Sequence, residues 1–347
     1  MARLFRKGRS DGYLVEDKEP MHSIMPYLMR GRNESAVYFK YSVEIDDIRD
    51  YIRAQRRAGK RITLMNIMVA AILHVLYQRP GLNRFIAGRR LYQHKVTDVS
   101  YTVKKSLTDV SPESVAKVVF ENTDNLFTVT EKMNLHIDKI REEDDDTIND
   151  DLTNFMKRLS NWPRWILRSI ASILRVMDFH GILPVKFQQL VPMYSSVFVS
   201  HLGSLGAEAP FHHLYEFGTT SIFMTIGKAY DKPVKTYEDK LEWRKCVDLM
   251  FSVDERICDG YYLVRSLRLL EELLGNLELL ELSPVELERK MTEEKLIKKA
   301  RRQERNNRKR KLMEQKEAEA REEASAENSD LDDIKDNYDE ILVEDFS

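Results

Sequence analysis

Residues 250–262 read MFSVDERICDGYY. The β-rich start MFSV runs into the polar segment DERIC and an Asp-Gly pair, which is turn chemistry. From Tyr261 a helix follows, placing Leu263, Leu267, Leu270 and Leu274 at spacings of three and four. A strand that passes through a tight turn directly into a helix is the unit from which α/β domains are built.

Working outward, further strands are expected at Ser196–His201, Thr220–Lys228 and Arg244–Val253, each ending at a Gly or Asp turn. Near the front of the chain, AVYFKYSVEI (36–45) alternates as a half-buried strand, and Asp46 and Asp47 open an amphipathic helix that stops at Gly59. LMNIMVAAILHVLYQ (64–78) is apolar almost all round and ends before Pro80, the pattern of a buried helix. His74 within it reads as a satisfied core histidine. After Pro80 come RFIAG and RRLYQHKV as a hairpin about Gly88, then VSYTVKK as a third strand. Residues 113–141 are expected to be helical on Leu126, Val129, Met133, Leu135, Ile137 and Ile140, with an exposed acidic break from Glu142 to Asp146. Residues 152–178 form an amphipathic helix with Trp162, Trp165, Ile166 and Ile173 beside Arg164, Arg168 and Arg175. Such a helix packs on its own domain or lies on a membrane surface; the first is expected here.

The chain has 347 residues, 42% hydrophobic and 32% charged, above the usual charged fraction of about a quarter. Its net charge of −2 hides a division. Residues 289–311 carry 12 Lys/Arg against 3 Glu, net +9, and residues 312–347 carry 3 against 14, net −11, which leaves residues 1–288 neutral. The extension has few groups from which to build a core. Three divisions follow: an N-terminal segment 1–19, a domain over 20–283, and a charged helical extension 284–347 with an acidic tail. Two cysteines, Cys246 and Cys258, make no disulfide framework and no structural zinc spacing. A cytoplasmic location is expected, because the charged N-terminus lacks a secretory apolar stretch and no run reaches the roughly 20 apolar residues of a membrane span.

Four segments in order, RPGLNRFIAGRRLYQHKVTDVSYTV (79–103), SVFVSHLGSLG (196–206), SIFMTIGK (221–228) and MFSVDERICDGYY, resemble the acyltransferase catalytic domain of 2-oxo acid dehydrogenase complexes and chloramphenicol acetyltransferase. The resemblance covers roughly residues 20–282 and is weakest over 105–190. It implies a chloramphenicol acetyltransferase-like two-layer sandwich, with a mixed β-sheet and flanking helices. It also implies a homotrimer or a higher multiple of three, with active sites between subunits. No permanently bound cofactor is implied, and coenzyme A or a lipoyl thioester would be the acyl-carrying substrate.

In that family a His-x-x-x-Asp-Gly motif supplies the base that deprotonates a thiol or hydroxyl, since a thiol with a pKa of about 8.5 attacks poorly until it loses its proton. Here the histidine position is Glu255, followed by Asp259 and Gly260. Ser200 matches the family serine that stabilises the oxyanion. Asp259 and Gly260 match the site-shaping turn, and Arg32, in LMRGRNES, is the expected arginine partner of Asp259. The same Asp-Gly pair reads equally as a plain β-to-α turn. A carboxylate replaces imidazole as base only if burial raises its pKa by about two units or more.

Two functions follow from the resemblance. One is acyl transfer between a thioester and a thiol or hydroxyl, with Glu255, Ser200 and Asp259 at the site. The other is a non-catalytic trimeric scaffold or binding protein that has lost the base. Glu255 favours the second and Ser200 the first. His201 should face away from Ser200 because neighbouring strand residues point to opposite faces, whereas His212 and His213 lie in a loop free to reach inward. Adjacent histidines without carboxylate or thiol ligands read as loop residues, not a metal site. Cys258 is not expected to be a nucleophile. No DNA partner is expected, because no aromatic residue interleaves the basic block; residues 289–311 could meet an anionic surface.

Overall fold

The computed structural model describes residues 8–16, 20–104, 113–142, 161–235, 239–299, 301–309 and 313. The acidic break from residue 143 onward, the first part of the 152–178 helix and the acidic tail apart from residue 313 lie outside them. The chain divides into two compact units, Met1–Leu287 and Glu288–Ser347.

The first unit is built on a six-stranded mixed sheet. Its strands are β2 (Ala36–Glu44), β5 (Thr97–Lys104), β6 (Glu113–Phe120), β7 (Val197–His201), β8 (Ile222–Lys235) and β9 (Leu241–Asp254), in the order β2-β9-β8-β7-β5-β6. β7 runs parallel to both β5 and β8, and the outer pairs are antiparallel. A smaller antiparallel sheet, β1 (Gly12–Leu14), β4 (Arg90–His94) and β3 (Arg84–Ala87), stands beside it. The β3–β4 turn places both Gly88 and Arg89 at positive φ, the geometry of a two-residue hairpin whose twist matches its strands.

Register sorts the large sheet into two faces. Phe39, Phe251 and Met224 are in line across three strands, as are Val253 and Ile222 one step along. Against this apolar face lie α3 (Leu64–Gln78) and α7 (Gly260–Gly275), whose Ile72, Leu76, Leu263 and Leu270 meet Phe39, Phe251, Val253 and Val197. α3 starts on a capping box, in which Thr63 Oγ1 accepts from the Asn66 N–H and Asn66 Oδ1 accepts from the Thr63 N–H. His74 is fully buried inside it, with one ring nitrogen 2.8 Å from the Ala70 carbonyl and the other 2.8 Å from that of Leu282. The result is an α/β two-layer sandwich with a mixed sheet and flanking helices. No helix among the described residues is long and apolar enough to cross a membrane.

One element differs from the sequence reading. Residues 113–120, expected to begin a helix, are strand β6, and α4 starts only at Leu126. ESVAKVVF alternates and pairs along its whole length with β5, so the ladder overrides the helical pattern further on. The helix over Arg164–His180, α5, has no buried residue. It rests on the domain through Leu174 and Met177, which pack on Leu183, Val191 and Tyr194, while Trp165, Ile173 and Val176 stay exposed at 70%, 58% and 57%. Its last turn is clamped by Arg9, which is buried and ion-paired to Asp178 at 2.8 Å.

Leu287 is 1% exposed and ends the first unit, just after a Ser283–Glu286 capping interaction. Deleting residues 289–347 should leave cooperative thermal unfolding within a few degrees of the full chain. Leu287→Ala should cost about 2–4 kcal/mol, read by urea denaturation.

Candidate functional site

The sheet face opposite the helices carries polar groups together with Tyr38, Phe198 and Phe223. Ser200 on β7 lies level with Thr225 on β8, Met250 on β9 and Lys40 on β2. One step along, Phe198, Phe223, Ser252 and Tyr38 are also level. The segment from Ala209 to Phe217 covers this face. Its Pro210 carbonyl accepts from Thr225 Oγ1 at 2.5 Å, its His212 carbonyl accepts from Ser252 Oγ, and Phe211 meets Tyr38 edge-on at 5.8 Å. Ser200 is half-buried, and its hydroxyl has no hydrogen-bond partner among the described residues.

His201, level with the fully buried Ile226, falls on the helix-covered face, as strand alternation requires. Burial lowers the pKa of its imidazole. His212 stands on the Ser200 side, stacked on Phe223 with ring centres 3.9 Å apart. Its Nδ1 is 2.7 Å from the His213 carbonyl. A carbonyl only accepts, so Nδ1 carries the proton and Nε2 keeps its lone pair. Burial, ahead of that backbone hydrogen bond, holds His212 below the usual imidazole range. Further along the same face Asp248 accepts from Ser42 at 2.7 Å and Tyr230 at 2.8 Å and pairs with Lys40 at 2.6 Å, beside a cavity of about 250 Å³. Burial pushes this carboxyl up, and the combined hydrogen bonds from Lys40, Ser42 and Tyr230 bring it below its ordinary value.

Glu255 follows β9 directly in a short 3₁₀ turn, Glu255–Ile257, and is exposed; its N–H donates to the Ser35 carbonyl at 3.0 Å. Ser200 is level with Met250, two strands across and several residues back from Glu255. At about 4.8 Å per strand and 3.3 Å per residue they stand at least about 15 Å apart within one chain. One subunit therefore does not bring both to a single reacting atom.

The expected Asp259–Arg32 pair is not formed. Asp259 caps α7, accepting from the Tyr262 N–H at 2.7 Å, and Gly260 is the first residue of that helix. Arg32, 5% exposed, donates instead to the carbonyls of Tyr215, Glu216 and Ile86 at 2.9–3.2 Å. The buried arginine–carboxylate pair belongs to the neighbouring motif residues: Arg256 holds Asp254 through two contacts of 2.7 and 2.8 Å, with both side chains at most 2% exposed. The physical reason is capping. The first free N–H groups of α7 take Asp259, and Arg32 lies among backbone carbonyls that only a multidentate donor satisfies. Cys258 is half-buried. Burial, with the Asp259 carboxylate beside it, pushes its thiol up to about 12, so it is not an activated nucleophile.

Sequence reasoning placed no weight on Arg256 or Asp248. Arg256 stands inside the quoted motif, and an arginine two residues from an aspartate at the end of a buried strand is the signal that was available.

No protein-family model matches the chain, and no curated protein matches it. Its structure is similar to a probable dihydrolipoamide acetyltransferase from Listeria monocytogenes 4b F2365, at 15% identity over 75% of this chain and 95% of that one, TM-score 0.48. It is also similar to the cubic core of the pyruvate dehydrogenase multienzyme complex, at 16% identity over 76% and 93%, TM-score 0.49. Chloramphenicol acetyltransferase is a third such structure, at 13% identity over 76% and 99%, TM-score 0.47.

Asp254→Asn leaves the buried Arg256 without its counter-charge. It should destabilise the protein by about 3–5 kcal/mol in urea unfolding, whereas Asp259→Asn, which keeps a capping oxygen, should cost less than about 1 kcal/mol.

Proposed function

We propose that the chain acts in acyl transfer between a thioester of the coenzyme A or lipoyl type and a thiol or hydroxyl acceptor, as a trimer or multiple of three. The observation that carries this reading is the Ser200 hydroxyl. By the sequence resemblance it matches the family's oxyanion donor; it is on the loop-covered sheet face and is not used by any described residue of its own chain. A donor left unspent in the resting protein is available to an oxygen on which charge develops.

The proton acceptor is then Glu255 from a neighbouring subunit or His212 of the same chain. The separation of Glu255 from Ser200 within one chain supports the first arrangement, in which the site is complete only between subunits. The free Nε2 of His212, on the face that carries Ser200, supports the second. In the intersubunit arrangement Asp259 and Gly260 hold the turn that sets Glu255, and Arg32 supports the facing Glu216 segment.

A second reading is a trimeric scaffold or binding protein that has lost its base. The exposure of Glu255 favours it, because the burial that would make a carboxylate an effective base is absent from the single chain.

A coenzyme A-dependent acyl-exchange assay on the full chain separates these readings. Under the first, Ser200→Ala lowers exchange by about 10²–10³-fold, and either Glu255→Gln or His212→Ala lowers it by about 10²–10⁴-fold, identifying the base. Under the scaffold reading wild type is inactive and Glu255→His creates exchange that Ser200→Ala removes. Exchange absent from wild type and from Glu255→His alike would exclude acyl transfer. Light scattering should give a mass that is a multiple of three chains; a monomer at micromolar concentration contradicts the intersubunit site.

A further inference from the structure

A cavity of about 350 Å³ opens between α1 (Pro20–Leu28), the β3–β4 turn, the C-terminal end of α5 and the Glu216–Phe217 segment. This is the size of a small-molecule site. Among the described residues five arginines line it, Arg30, Arg32, Arg89, Arg175 and Arg256, against two carboxylates, Asp178 and Glu216.

Most of the negative charge is already spoken for. Arg256 is neutralised by Asp254, and Asp178 is ion-paired to Arg9 at 2.8 Å. Glu216 accepts from the backbone N–H groups of Arg32 and Asn33 at 3.1 and 3.0 Å. On the positive side, Arg30, Arg89 and Arg175 form no ion pair with a described residue, and the Tyr27 ring lies 5.3 Å from the Arg89 guanidinium carbon. Arg32 is bound only by carbonyls, and its buried Nε has no hydrogen-bond partner. Four guanidinium groups from three segments, the 30–32 connection, the β3–β4 turn and α5, thus line one cavity, none of them ion-paired to a described residue. Crowded like charge of this kind opposes folding unless something anionic offsets it.

We propose that this cavity binds an organic phosphate, the phosphate among Arg30, Arg32, Arg89 and Arg175 and the organic part against Phe179 and Phe217. A phosphate monoester carries close to two charges and three strong acceptor oxygens at neutral pH, which matches several guanidinium forks better than one carboxylate does. The wall is fixed. Gly88 has φ +54° and lies so close to the Phe179 carbonyl oxygen that a Cβ there would overlap it, so the turn that presents Arg89 is seated directly on α5. This inference does not rest on the acyl-transfer reading, in which Arg30, Arg89 and Arg175 have no part and Arg32 only supports the Glu216 segment.

Phosphate chemistry reaches such a cavity on a soluble ester or on a lipid headgroup, and the exposed Trp165, Ile173 and Val176 of α5 bring the second source within reach. The test titrates the full chain calorimetrically with phenyl phosphate, and in parallel sediments it with vesicles of four parts phosphatidylcholine to one part phosphatidic acid. The variants are Arg89→Ala/Arg175→Ala, whose side chains are exposed, Arg89 touching the Tyr27 ring, and Arg268→Ala on α7 as a control. Saturable phenyl phosphate binding that weakens about tenfold or more in the double variant and not in the control supports a soluble ester. Vesicle binding lost in the same variant, without phenyl phosphate binding, supports a lipid headgroup. Binding of neither probe, or binding that the double variant leaves unchanged, overturns the proposal; the unchanged case assigns the phosphate affinity to the basic block 289–311.

Discussion

The buried pair of Asp254 and Arg256 is the interaction on which the functional end of the molecule depends. Asp254 is the last residue of β9, fully buried, and its N–H donates to the Ser221 carbonyl at 2.9 Å. Arg256 answers it with two nitrogens and turns a third toward the carbonyls of Met29 and Arg30. One guanidinium thus joins the end of the central sheet to the α1–β2 connection. Desolvating two charges is costly, and only full hydrogen-bond satisfaction makes the pair tolerable. That requirement fixes the backbone on either side, including Glu255, whose N–H reaches Ser35 across the same junction.

From this anchored edge the sheet register distributes the chemistry. A shift of one residue in any strand would exchange the two faces, so the long β8–β9 and β2–β9 ladders decide together that Phe39, Phe251 and Val253 meet helices while Ser200, Thr225 and Ser252 meet the 209–217 segment. The helical face is closed by apolar packing; His201 is half-buried there, and His74 of α3 is fixed between the Ala70 and Leu282 carbonyls. The other face is covered by a segment bound through its backbone carbonyls and aromatic rings, which leaves the Ser200 hydroxyl unused. The division of labour between core and site is therefore already present in the alternation of single strands.

How much of this was legible in the sequence follows from range. The strands β7, β8 and β9, the buried helix α3, the hairpin about Gly88 and the turn into α7 are local patterns, and each was readable from its own residues. β6 was missed because its strand identity comes from β5, whose pairing outweighs the helical periodicity that begins only at Leu126. The partner of Asp259 was misassigned because two basic residues, Arg32 and Arg256, compete for two carboxylates five positions apart, and burial rather than spacing decides between them. The arginine cavity was invisible for the same reason in stronger form. Positions 30, 32, 89 and 175 share no periodicity, and only the docking of α5 onto the β3–β4 turn brings them to one place.

Net charge concealed it as well. Residues 1–288 are neutral by count, which suggests an even surface. In the fold the carboxylates are spent unequally: Asp98 holds Lys117, Asp124 holds Lys132, Asp248 holds Lys40, and Asp178 and Asp254 hold Arg9 and Arg256. Each of these acids is held at a strand end, a turn or a helix end or, for Asp248, within β9, and is no longer free to balance charge elsewhere. A neutral chain that commits its acids to architecture leaves cations uncompensated wherever several fall together, and in this molecule they fall around a cavity. The local charge of a site is thus set by which acids the backbone has already claimed.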